Sequence, residues 1–182
     1  MSMNKNVEFL SLYEPIHGRF IKYCTSISYG VLETEDLAQE AILATLLNYS
    51  KISDKNKLFN YMIGTVRNIV FNQKRRQKFS TNWDERILEK LEDDAPNPEI
   101  ALDIHFLLKA MDELPSLQKE AIILFEISGF SMKEISEIQH SSVAATKKRI
   151  SRGRKILQKQ LADDHSKSSL ANRLSVFASI LF

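Results

Sequence analysis

Apolar residues recur along this chain at helical rather than alternating spacing. Over residues 8–29 they fall at 9, 10, 12, 13, 16, 20, 21, 23, 24 and 27, which predicts helix. Thr34 suits an N-cap, and Glu35 and Asp36 follow in the first turn, where carboxylates favour the positive end of the helix dipole. Leu37, Ala38, Ala41, Ile42, Leu46 and Tyr49 then form an apolar face, leaving Asp36, Gln39, Glu40 and Asn48 outside. A helix over 57–78 puts Leu58, Met62, Val66, Ile69 and Gln73 on one side, with Phe59, Ile63 and Val70 beside them. Asn60, Gly64, Arg67, Asn68, Phe71 and Arg75 share the opposite side, flanked by Asn72.

Residues 80–99 are polar, acidic and punctuated by proline, which predicts a linker with room for a short helix over 84–92. Helical spacing resumes over 100–113 (Ile100, Ile104, Leu107, Leu108, Met111) and again over 116–128. Gly129 suits a left-handed cap. Ser131 and Glu134 make a capping-box pattern for a short helix buried through Ile135 and Ile138. A polar break at 139–142 leads into a last long helix over 143–161, with Val143, Ile150, Gly153, Leu157 and Leu161 as its core face. No segment demands a strand. The expected fold is all-α, with two small helical domains over 1–79 and 100–162, a linker over 80–99 and an extension over 163–182. In that extension Leu170, Leu174, Phe177 and Leu181 form an apolar stripe.

Composition removes several function classes. One Cys in 182 residues excludes a disulfide scaffold and a four-Cys metal site. Five Gly argue against a glycine-rich phosphate cradle. His17, His105, His140 and His165 lack ligand-like spacing, so neither metal nor cofactor is expected. No apolar run reaches the ~20 residues that cross a bilayer. The first 20 residues lack a signal peptide's apolar core, so a cytoplasmic protein is expected.

The net charge of +2 is an average. Residues 1–80 carry net +4, residues 81–105 net −6, residues 106–162 net +4, and residues 163–182 are neutral. The basic blocks give the candidate chemistry. On the last helix Lys148, Arg152, Lys155 and Lys159 recur at i, i+4, i+7 and i+11, opposite the core face and flanked by Lys147, Arg149 and Arg154. A short capped helix, a tight break and a basic amphipathic helix make a helix-turn-helix pattern, suited to phosphates and base edges in a major groove. A solvated Lys/Arg face is the plainer alternative. The 57–78 helix offers amides, a ring and a basic end at Lys74, Arg75 and Arg76. Amides bond base edges and rings stack on unpaired bases, although a basic helix end also complements the dipole. The carboxylates over 84–103 read as a solvated linker, Cys24 as core, and Trp83 as an anchor for the linker. No catalytic residue is expected.

The order of these motifs resembles a known family. Asp36-Leu37-Ala38-Gln39-Glu40, then Asn60-Tyr61-Met62, Val66-Arg67-Asn68 and Arg75-Arg76, look like region 2 of bacterial extracytoplasmic-function (ECF) sigma factors. Leu114-Pro115, Gly129-Phe130-Ser131, Glu134-Ile135 and the run from Ala145 to Arg152 look like region 4. The resemblance implies a transcription-initiation factor that binds core RNA polymerase, with Asp36, Gln39 and Glu40 docking on the β′ coiled coil. It implies melting and reading of the −10 element by Asn60, Arg67, Asn68, Phe71, Asn72, Lys74, Arg75 and Arg76, with residues 51–60 as the wall of a flipped-base pocket. It implies −35 duplex reading by Lys147, Lys148, Arg149, Ser151, Arg152 and Lys155, and an anti-sigma factor as partner. Ala144-Ala145 stand where the family usually has Gly-Thr, Ser136 where it has Ala, and Tyr61 where it has Trp. The rival readings are a stand-alone helix-turn-helix regulator and an enzyme using the 84–103 carboxylates.

Overall fold

The computed structural model describes residues 2–29, 31–77, 97–162 and 169–180, and every regular element among them is helical. The chain divides into two compact units, Met1–Thr81 and Asn82–Phe182. The possible helix over 84–92, Trp83 and most of the acidic stretch lie outside the described residues.

In the first unit the periodicity of 8–29 resolves into two helices rather than one. α1 (Ser2–Tyr13) and α2 (His17–Ser28) are separated by a 3-10 turn over Glu14–Ile16. Pro15 is the physical reason, because it lacks an amide hydrogen and clashes with a preceding helical turn. α3 (Thr34–Asn48) begins one residue earlier than expected. Glu33, with extended backbone, precedes the first turn, and Thr34 lies inside the helix instead of capping it by its side chain. α4 (Leu58–Gln77) follows two short 3-10 turns, Tyr49–Lys51 and Lys55–Lys57.

α2, α3 and α4 close around Phe20, Tyr23, Leu37, Ala41, Met62, Ile63 and Val66, all nearly inaccessible to solvent. Phe9, Tyr13, Phe20 and Tyr49 join them as an aromatic chain, with edge-on ring pairs at 5.7 Å (Phe9–Tyr49) and 6.0 Å (Tyr13–Phe20). Burial pushes the Cys24 thiol up to about 12, as befits a core residue and not a nucleophile.

In the second unit α5 (Pro98–Asp112) starts two residues before the spacing of apolar positions suggests. Asn97 caps it by accepting from the Ile100 amide at 3.0 Å, and Pro98 occupies the first turn, where a missing amide hydrogen costs nothing. α6 (Ser116–Ile122) widens into a π turn over Ile123–Ile127, where a single α-helix to 128 was expected. Gly129 has φ +71°, and the Phe130 amide reaches back to the Leu124 carbonyl at 2.9 Å. Ser131 and Glu134 then form both halves of the expected capping box on α7 (Met132–Ile138).

α8 (Val143–Ala162) packs on α6 where Gly153 faces Ile122; a Cβ there would lie 3.1 Å from Ile122 Cγ1. Arg154 braces the same helix against the π turn, donating to Glu126 at 2.6 Å with its guanidinium over Phe125. Val143 is 46% exposed and does not belong to the core, because the break before α8 turns the first residue of the helix outward. α9 (Leu170–Ile180) lies against α5, the π turn and α8, burying Leu174 and bringing Arg173 to Asp103 at 3.6 Å.

Candidate nucleic-acid interfaces

Three helical surfaces carry the residues singled out by sequence. On α3, Asp36, Gln39 and Glu40 all face solvent. The same surface continues into Leu43 and Leu47, which are 57% and 68% exposed. Positions 36, 40, 43 and 47 follow i, i+4, i+7 and i+11, so two carboxylates and two leucines form one stripe. The apolar-face pattern does not include these leucines. Their signal is that α3 past Ala41 is apolar on nearly every side, which a half-buried helix does not need.

On α4 the outward face forms as expected. Asn68, Phe71, Asn72, Arg75 and Arg76 are exposed, while Asn60, Arg67 and Lys74 are half-buried at its margins. Phe71 is 66% exposed, an unusual position for a large ring. The opposite side is anchored by Leu58, Met62, Val66 and Val70, so the face is held rigidly.

The turn leading into α4 is braced by Lys55. Its ammonium donates to the Tyr49 and Ile52 carbonyls, the latter at 2.9 Å, and sits 4.0 Å from the centre of the Tyr49 ring. Burial and the nearby Glu8 carboxylate push the Tyr49 hydroxyl up. Asp54 accepts from the Asn56 amide at 3.1 Å and completes the turn. Residues 51–57 therefore form a shaped turn leading into α4, and residues 58–60 are already the first turn of that helix.

On α8, Lys147, Lys148, Ser151, Arg152, Lys155 and Lys159 all face solvent. The helix begins behind Ser142, whose hydroxyl accepts from the Ala145 amide at 3.1 Å. Arg149 differs from its neighbours. It is half-buried, and its Nη1 donates inward to Gln139 Oε1 at 2.8 Å and Ser141 Oγ at 2.9 Å. Sequence spacing placed it at the edge of the basic face; a polar side chain in the preceding turn draws it in. His140 has a left-handed backbone (φ 47°), for which the polar break at 139–142 carries no specific signal.

His165 and the carboxylates over 84–94 lie outside the described residues; the described candidates fall into structural places. His17 Nδ1 lies 2.8 Å from the Tyr13 hydroxyl, His105 is buried, and Asp103 faces Arg173. Among the described residues no group of His, Cys, Asp and Glu could hold a metal ion, and no helix is long and apolar enough to cross a membrane.

Comparison with known proteins adds to this geometry. Residues 107–157 match the family described as Sigma-70, region 4. The chain is 27% identical over 142 residues to the ECF RNA polymerase sigma factor EcfG of Rhodopseudomonas palustris (strain TIE-1), covering 78% of each protein. It is 25% identical over 167 residues to the ECF RNA polymerase sigma factor SigW of Bacillus subtilis (strain 168), covering 85% of this chain and 89% of that one. Among solved structures, its fold matches the sigma factor RpoE from Bartonella quintana, solved in complex with the anti-sigma factor NepR. That match has a TM-score of 0.58 at 22% identity, over 86% of this chain and 99% of the other.

Proposed function

We infer that this chain, an ECF RNA polymerase sigma factor by its region 4 and its relatives, binds core polymerase and directs promoter-specific initiation through the three surfaces described. The observation that carries the assignment of surfaces is their separation. The α3 stripe, the α4 amide-and-ring face and the α8 cation face each lie on a separate helix whose other side is packed in a core.

The α3 stripe is the polymerase-docking surface, with Asp36, Gln39 and Glu40 supplying polar contacts to the β′ coiled coil. Leu43 and Leu47 supply the apolar contact such a helix offers. On α4, Asn60, Asn68 and Asn72 bond the edges of unpaired bases of the −10 element, Phe71 offers a stacking face, and Arg67, Lys74, Arg75 and Arg76 hold phosphates. Residues 51–60, the turn and the first residues of α4, are the wall against which a flipped base rests. Unstacking a base costs a few kcal/mol, so a site that rewards the flipped base drives melting without ATP. On α8, Lys147, Lys148, Ser151, Arg152 and Lys155 meet the −35 duplex.

The protein itself has no chemical step in this account; the polymerase performs the catalysis, in the cytoplasm. An anti-sigma factor is the expected restraint, as the complex of its structural relative suggests. The acidic linker between the two domains, over 80–99, would lie along a basic channel of the polymerase.

The test is run-off transcription with core polymerase plus this protein, on promoters selected by their dependence on it. Arg152→Gln is expected to abolish selection of the −35 sequence while leaving core binding intact. The pair Gln39→Ala and Glu40→Ala, or Leu47→Asp alone, is expected to remove core binding while leaving DNA contacts intact. A protein that supports no start site and fails to copurify with core polymerase is a stand-alone regulator instead, and the reading falls.

A further inference from the structure

A buried polar chain runs from α6 to α8 through the turn of the helix-turn-helix. Glu120 on α6 is 4% exposed, and a carboxylate taken that far from water needs close donors. Gln139, 8% exposed, provides one: its Nε2 donates to Glu120 Oε2 at 2.9 Å and to the Leu117 carbonyl at 3.0 Å. Both amide hydrogens are then used. Its Oε1 accepts from Arg149 Nη1 at 2.8 Å, and the second hydrogen of that nitrogen goes to Ser141 Oγ at 2.9 Å. Ser141 is brought there by the left-handed turn at His140, and its hydroxyl lies 3.2 Å from that of the buried Thr146 on α8.

The result is a hydrogen-bonded chain, Glu120 to Gln139 to Arg149, that ties three elements together. Gly153 against Ile122, the buried Ile150 and Leu157 and the Arg154–Glu126 bond hold the middle of α8, while at its first turns the polar chain opposes rotation about the helix axis. Hydrogen bonds are directional and resist that rotation. The bridge lies one turn before Arg152, on the end of the helix that enters a groove.

We propose that Arg149 is a positioning residue, not a phosphate ligand: with Gln139 and Glu120 it sets the rotation of α8 and hence which base edges Lys148, Ser151 and Arg152 meet. The proposal rests on the reading of α8 as the duplex-reading helix. It deepens that reading by separating the inward cation from the outward ones. To reach a phosphate with Nη1, Arg149 would have to leave Gln139 Oε1 and Ser141 Oγ without its hydrogens, at a cost its exposed neighbours do not meet.

The experiment uses the full chain bound to core polymerase and a 30-base-pair duplex enriched by that holoenzyme from a random pool. Affinity is measured across salt for the enriched duplex and for single-base variants of its −35 element. Arg149→Gln and Gln139→Leu are each expected to shrink discrimination between matched and mismatched duplexes about tenfold, although neither residue touches a base. The double variant should be no worse than either single one, and the salt slope should stay unchanged. Ser141→Ala, a milder lesion, should move discrimination in the same direction by about twofold.

A salt slope lowered by about 0.9 in Arg149→Gln, with discrimination intact, makes Arg149 a phosphate ligand and overturns the proposal. Loss of thermal stability with both duplex readouts unchanged makes the chain merely structural and overturns it too. Arg152→Gln run in parallel separates the two levels. If it leaves duplex binding untouched, the reading of α8 fails along with the proposal; if it weakens binding while Arg149 behaves as a phosphate ligand, only the proposal fails.

Discussion

α4 and α8 are both 20 residues long and both carry several cations on an outward face, yet they display different chemistry. The α4 face mixes Asn60, Asn68, Asn72 and Phe71 among its arginines. The α8 face is a ladder of Lys147, Lys148, Arg152, Lys155 and Lys159, with Ser151 as its only small polar member and no ring. A ladder of charge suits the regular phosphates of an intact duplex. Amides and an exposed ring are of most use against bases whose edges and faces have been freed. One protein that must hold a duplex at one site and open it at another is expected to divide its surfaces in this way.

The sharpest way to break this comparison is through Phe71. Phe71→Ala is expected to weaken binding of the holoenzyme to single-stranded −10 DNA by about tenfold to a hundredfold, the usual value of one base stack. Duplex binding at −35 should not change. Equal losses on both probes, measured by fluorescence anisotropy, would erase the distinction between the two faces.

The complementary change is on α8. Replacing Lys148 and Lys155 together by Gln is expected to flatten the salt dependence of duplex binding by about two units of slope and to cost roughly tenfold in affinity at moderate salt. Opening of a pre-melted promoter should proceed as before. A slope that does not move would mean that these lysines are solvated rather than set against phosphates.

The smallest effect separates the two units by stability. Burial raises the Cys24 thiol from its ordinary 9.0 up to about 12 in the folded first unit. Its neutral form is therefore favoured by folding: the contribution is complete below about pH 9 and is lost as the pH rises toward the folded value. Urea titrations at rising pH should show the first unit weakening in this window, with part of the loss absent in Cys24→Ala. The second unit contains no Cys, so an equal Cys24-dependent loss there would contradict this account.

Much of this organisation is legible in one dimension because it rests on local chemistry. The box of Ser131 and Glu134 and the glycine stop at Gly129 are contacts between near neighbours, and both formed as expected. The outward faces of α4 and α8 followed from helical spacing, since a rigid period leaves little choice about which residues share a side. Pro15 carried the signal for the break between α1 and α2, and periodicity alone overrode it. The π turn at Ile123–Ile127 and the exposure of Val143 had no comparable signal. Both depend on how α6 and α8 meet their neighbours.

The candidate site divides along the same line. Asp36, Gln39 and Glu40 are marked by an outward polar pattern, whereas Leu43 and Leu47 lie off the expected apolar face and show their exposure beside those residues only in the folded helix. Arg149 is the reverse case: a cation that belongs to the basic face by spacing and to the interior by bonding.

The amino-acid order by itself determined that this chain is helical, that its basic blocks flank an acidic one, and which amides, rings and cations share a face on two of its helices. Those properties are set by residue type and by a period of 3.6, which act over a few residues. Only the tertiary structure decided that the Arg149 charge turns inward and that Val143, on the expected core face, stays outside. The inward turn of Arg149 depends on a chain of long-range partners, Gln139 with Arg149 and Gln139 with Glu120, at separations of 10 and 19 residues. Burial is a competition among all neighbouring groups for the same space and the same donors, and no single segment contains the terms of that competition.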